Sequence, residues 1–105
     1  MPVYDKLVRD FTPAHLDRLG VAYRTRPLDR DEYHSRLLDK LAEEAAELRA
    51  AASEDEQREE LADVLEVVLA MAELLGGNER LEQTRAAKAE ERGGFAARLL
   101  LEETE

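Results

Sequence analysis

The sequence predicts an all-α fold: a hairpin of two long helices with a shorter third helix, completing a four-helix bundle by association with another copy of the chain. Three observations carry this. Ala, Leu and Val supply most of the 44% hydrophobic residues, and aromatics only 5%, a balance suited to helix packing rather than to a β-sandwich. Capping-box patterns precede two long stretches of helical apolar spacing. Paired glycines follow the second long stretch and the shorter helix after it.

Residues 1–28 lack sustained periodicity apart from one short helix signal. Thr12 is a candidate cap, Pro13 suits the first helical position, and Gly20 suits the stop after AHLDRL. Val21 to Arg26 is expected as a short extended piece. At Leu28-Asp29-Arg30-Asp31-Glu32-Tyr33 the start signal is strong, with Asp29 as N-cap, Glu32 as its reciprocal partner, and Leu28 and Tyr33 as a hydrophobic staple. The helix that begins here runs through Leu37, Leu41, Ala45, Leu48 and Ala52, about 20 residues and roughly 30 Å at ~1.5 Å per residue.

Ser53-Glu54-Asp55-Glu56 repeats the capping pattern, and Leu61, Val64, Leu65, Val68, Met71, Ala72 and Leu75 keep helical spacing until Gly76-Gly77. The two helices are expected to fold back on one another. Asn78 is a candidate cap for a third helix over 79–91, stopped by Gly93-Gly94, after which Phe95 to Leu101 leads to the end of the chain. A length of 105 residues fits one domain over 1–105, and a domain that small buries only roughly 60–70% of its unfolded surface.

Charge and composition exclude several functions. With 25 acidic against 15 basic residues and a net charge of −10, polymeric nucleic acid and anionic membranes are poor partners. A phosphorylated small molecule remains compatible if cations lie between the two sets of negative charge. The absence of cysteine removes disulfides, thiolate metal sites and cysteine nucleophiles. No apolar run approaches the ~20 residues of a membrane helix, and MPVYDKLVRD is too charged for a signal peptide. The expectation is a cytoplasmic protein.

The carboxylates then stand out. The first long helix carries Glu43, Glu44 and Glu47, and the second carries Glu60, Asp63 and Glu66. Leu37, Leu41, Glu44 and Leu48 share one stripe, so Glu44 occupies a core leucine's place, and Glu60 and Asp63 lead into Val67, Met71 and Leu74 in the same way. Unpaired buried carboxylates cost several kcal/mol, so a group of them at an interhelical seam implies compensating cations. Two Glu-x-x-acid pairs opposed across a hairpin make an oxygen cage of the kind Mg²⁺ prefers, with Mn²⁺ as a substitute. In a chain that is 38% charged, a single such pair is an ordinary solvated face; two on consecutive helices are not. A di-iron bundle requires Glu-x-x-His twice, and neither His15 nor His34 follows a glutamate by three.

KLAEEAAEL at 40–48 followed by EELADVLEVV at 59–68 resembles the MazG-like all-α nucleoside triphosphate pyrophosphohydrolases, whose signature is Glu-Glu-x-x-Glu, a variable gap, then Glu-x-x-Asp. YDKLVRD at 4–10 and KAEERGGF at 88–95 look like the small house-cleaning subgroup, so the resemblance spans nearly the whole chain. The pattern departs at Phe11, where that subgroup has a lysine. The resemblance implies that Glu44, Glu47, Glu60 and Asp63 ligate Mg²⁺ and that Glu43 or Glu47 accepts a proton from water. It further implies that Lys6, Arg9, Lys88 and Arg92 neutralise substrate phosphates; surface ion pairing is their plainer role.

The implied reaction is hydrolysis of a nucleoside triphosphate, of the non-standard or damaged kind, to a monophosphate and pyrophosphate, in a homodimer or larger homo-oligomer. Two alternatives are phosphoribosyl-ATP pyrophosphohydrolase, from the same superfamily, and a non-catalytic, metal-binding helical interaction module.

Overall fold

The computed structural model describes residues 3–105, and within them every regular element is a helix. These are α1 (Thr12–Arg18), α2 (Arg30–Ala50), α3 (Glu54–Leu74) and α4 (Asn78–Arg92). The expected extended piece at 21–26 forms no strand. No helix among the described residues is long and apolar enough to cross a membrane.

The caps explain where α2 and α3 begin. Asp29, in extended conformation, accepts the Glu32 N–H at 2.9 Å, satisfying one of the orphan donors of the first turn. The reciprocal half of that box is absent. The Glu32 carboxylate instead takes two bonds from the Arg26 guanidinium, at 2.8 and 3.2 Å, because a charge-assisted bidentate pair outcompetes a neutral amide. At the second box Ser53 Oγ accepts the Glu56 N–H at 3.1 Å, and Glu56 reaches back to the Ala52 N–H at 3.0 Å. Ala52 therefore lies outside α2, which ends at Ala50, and residues 51–53 alone connect the two helices.

Two other expected caps are not used. Thr12 is itself helical behind Phe11, with no side-chain cap. α4 starts one residue early because Gly77, at φ 95°, is its N-cap and Asn78 is its first helical residue. Glycine is what that left-handed turn requires. Gly20, at φ 69°, closes α1 in the expected way, with its N–H on Asp17 O at 3.1 Å and the Val21 N–H on Leu16 O at 3.0 Å.

α2 and α3 form the antiparallel hairpin, and α4 packs on α3 alone. Arg30, in the first turn of α2, ties the open end of the hairpin by donating to Leu74 O at 2.6 Å. That bond satisfies an orphan carbonyl at the negative end of α3. The core is thin: among the described residues Leu37, Val67 and Ala72 are the buried hydrophobic ones, and Glu44 is also buried, at 6% exposure. Ala45, expected on the inner stripe, is exposed, whereas Leu41 and Leu48 are half-buried.

Candidate metal centre

Glu44 enters the seam because its place on α2 continues the Leu37–Leu41 stripe. Across from it, in the first half of α3, lies Glu60; one turn nearer the hairpin loop on α2 lies Glu47. Carboxylate oxygens of Glu44, Glu47 and Glu60 all come within 4.8 Å of one another. Two of these oxygens, Glu44 Oε2 and Glu60 Oε2, are buried without any hydrogen-bond partner. An unpaired buried charged oxygen is expensive, so the hairpin holds acceptors that nothing in the chain satisfies.

The electrostatics record the same tension. Burial, and then the charge of Glu47 and hydrogen bonding with it, push the Glu44 carboxyl above its ordinary range; the neighbouring Lys40 opposes this and Asp63 adds to it. Burial also leads for Glu60, joined by Glu47, Asp63 and Glu44, and raises it to about 7. Like charges crowded in a poorly solvated seam favour protonation.

Asp63 faces this group but is engaged elsewhere, accepting Arg9 Nη2 at 2.6 Å in an exposed pair. Glu43 lies outside the triad and is held by two lysines, Lys6 at 3.2 Å and Lys40 at 3.4 Å. The Lys6 bond, with Lys40 beside it, lowers the Glu43 carboxyl below its ordinary range. Lys40 also lies 3.5 Å from Glu44. With all of them ionised, five carboxylates face three cations. The deficit is what one divalent cation would neutralise.

The expected site residues thus divide. Glu44, Glu47 and Glu60 are brought together, with Asp63 beside them; Lys6 and Arg9 reach the same place from the N-terminal segment. Lys88 and Arg92 do not. Both are exposed on α4 and make no ion pair among the described residues, because α4 meets α3 near its own first turns, around Leu81 and Thr84. Lys40 is a participant that the motif comparison missed. Its spacing of three and four to Glu43 and Glu44 on one helix was the available signal.

The raised Glu60 carboxyl gives a pH prediction for the protein without metal. The folded state binds the proton more tightly than the unfolded chain does, so this group's contribution is fully present below the ordinary glutamate pKa of 4.5. It is lost as pH rises through about 7. The thermal midpoint in chelator should therefore fall between those limits, and Mg²⁺ should remove the fall by binding the ionised form. Midpoints that rise steadily over that interval in chelator would contradict the cluster's electrostatics.

Comparison with protein-family models, with curated proteins and with solved structures returns no match.

Proposed function

We propose that the chain is a Mg²⁺-dependent hydrolase that cleaves a nucleoside triphosphate, of the non-standard or damaged kind, to the monophosphate and pyrophosphate. The observation that carries this reading is the triad of Glu44, Glu47 and Glu60 at 4.8 Å or less, with two of its buried oxygens unpartnered. The donor set is all oxygen, without histidine or cysteine. That fits a hard divalent ion. The motif resemblance at 40–48 and 59–68 supplies the reaction class.

Glu44 and Glu60 would hold the cation with the oxygens that lack protein partners, and Glu47 would close the triad from one turn along α2. Asp63, now paired with Arg9, would be available as a fourth ligand if that pair opened. A bound Mg²⁺ would neutralise phosphate charge and activate water for attack at phosphorus. Glu43 is engaged by Lys6 and Lys40, whereas Glu47 lies in the triad itself, so Glu47 is the carboxylate placed to accept the proton from that water. Lys6 and Arg9 bring positive charge to the carboxylates from the N-terminal segment and would contact phosphate oxygens, with the arginine bidentate. A homodimer or larger homo-oligomer is the working unit, since so much apolar surface remains uncovered in one chain.

Chelator followed by add-back tests the reading. Dialysis should abolish pyrophosphate release from a panel of standard, deoxy and oxidised nucleoside triphosphates, and Mg²⁺ or Mn²⁺ alone should restore it. Restoration only by zinc or iron would overturn the metal assignment. Release from phosphoribosyl-ATP alone would move the substrate to the histidine-pathway reaction, and metal binding without any hydrolysis would make the chain a helical interaction module.

A further inference from the structure

Residues 4–9 cross the mouth of the carboxylate group, and their course is fixed by contacts to which no role has been assigned. Arg36, on α2, donates Nη1 to the Asp5 carbonyl at 3.0 Å and Nη2 to both Asp5 carboxylate oxygens at 3.3 and 3.4 Å. Its Nε faces Glu32 at 4.0 Å, and Glu32 in turn holds Arg26. Among the described residues Asp5 is one of two non-glycine residues at positive φ, at 46°, a conformation that aspartate tolerates better than most residues. One guanidinium therefore grips backbone and side chain of the residue where the segment turns. Lys6 then lands on Glu43, Leu7 is half-buried, and Arg9 crosses to Asp63 on α3.

We infer that Arg36 and Asp5 are positioning residues, which latch the N-terminal segment as a strap so that Lys6 and Arg9 are delivered over the carboxylates. This rests on the metal–phosphate reading of that site. The strap plays two opposed parts. While no phosphate is bound, Lys6 and Arg9 occupy Glu43 and Asp63 and compete with the divalent ion for their charge. When a polyphosphate arrives, the same two cations transfer to its oxygens, and the latch keeps them within reach. Arg36 touches neither metal nor substrate. It acts through the strap.

Arg36→Ala should therefore shift two affinities in opposite directions. Mn²⁺ alone, followed by electron paramagnetic resonance, should bind up to roughly fivefold more tightly, the range open to exposed ion pairs. Inorganic pyrophosphate in the presence of Mg²⁺ should bind roughly tenfold more weakly, about one lost charge-assisted contact. Tryptic cleavage after Lys6 and Arg9 should become faster. Asp5→Asn, which keeps the tolerance for positive φ and leaves α2 untouched, should move all three readouts the same way by less, and Arg36→Lys should restore them in part.

No Mn²⁺ binding by the wild-type chain would defeat the site reading itself. Wild-type Mn²⁺ binding with unchanged affinities and unchanged cleavage in both Arg36→Ala and Asp5→Asn would overturn the strap and leave the site standing.

Discussion

Glu44→Gln should reduce turnover by on the order of 100-fold or more, the scale seen when a charged group is removed from an electrostatic site, while raising the thermal midpoint of the metal-free protein. The two effects have one origin. Glu44 is 6% exposed, with one oxygen unpartnered, and its carboxyl is pushed up by burial and by Glu47. Replacing it with an amide removes a ligand charge and supplies a donor for Glu47 or Glu60. Relief of an unsatisfied buried charged group amounts to about 1 kcal/mol or more, or about 4–8 °C in a domain of this size. Circular dichroism in chelator and turnover in saturating Mg²⁺ check both halves. Wild-type turnover in the variant would refute the ligand assignment.

Leu61→Lys combined with Leu65→Lys should dissociate the protein into single chains. The protein exposes 9463 Å², whereas a folded monomer of 11.9 kDa is expected to expose about 6,000 Å². Its radius of gyration is 17.8 Å, against about 13 Å for a compact chain of this length. A standard interface takes about 800 Å² from each partner, so the excess exceeds what one such interface covers.

Leu61 and Leu65 lie one turn apart on α3 at 56% and 55% exposure, beside half-buried Val64 and Val68. This outer face is where a second hairpin would complete the bundle. Burying the exposed half of each leucine contributes about 1 kcal/mol. A two-fold interface uses four of them, so the double variant should weaken association about 10³-fold. Sedimentation should give at least twice 11.9 kDa for the wild type and the single-chain mass for the variant. A monomeric, fully active wild type would refute the assembly.

The two long helices were legible because local and periodic signals agree there. Asp29 and Ser53 both cap through their own oxygens, and Glu44 is buried where the leucine stripe placed it. Competition among neighbouring candidates and contacts between distant segments were less legible. Nothing local to Glu32 marks Arg26 as the partner that displaces the expected box, and Asn78 as a cap loses to a left-handed Gly77 that no spacing rule singles out. The same limit applied at the site. Helical spacing and the motif placed Glu44, Glu47, Glu60 and Asp63 together, of which the first three cluster, but that Arg9 occupies Asp63 and Arg36 grips Asp5 depends on how residues 3–11 cross the hairpin. Lys88 and Arg92 were grouped with the site by motif, whereas α4 leaves α3 too early to bring them to the carboxylates of the same chain.

Phosphorus NMR of a nucleoside triphosphate incubated with the protein and Mg²⁺ tests the central claim most directly, because it identifies the bond that is cut. Signals of a monophosphate and pyrophosphate are expected, absent in chelator and strongly reduced with Glu44→Gln. Release of orthophosphate and a diphosphate, or cleavage that persists without a divalent ion, would contradict it.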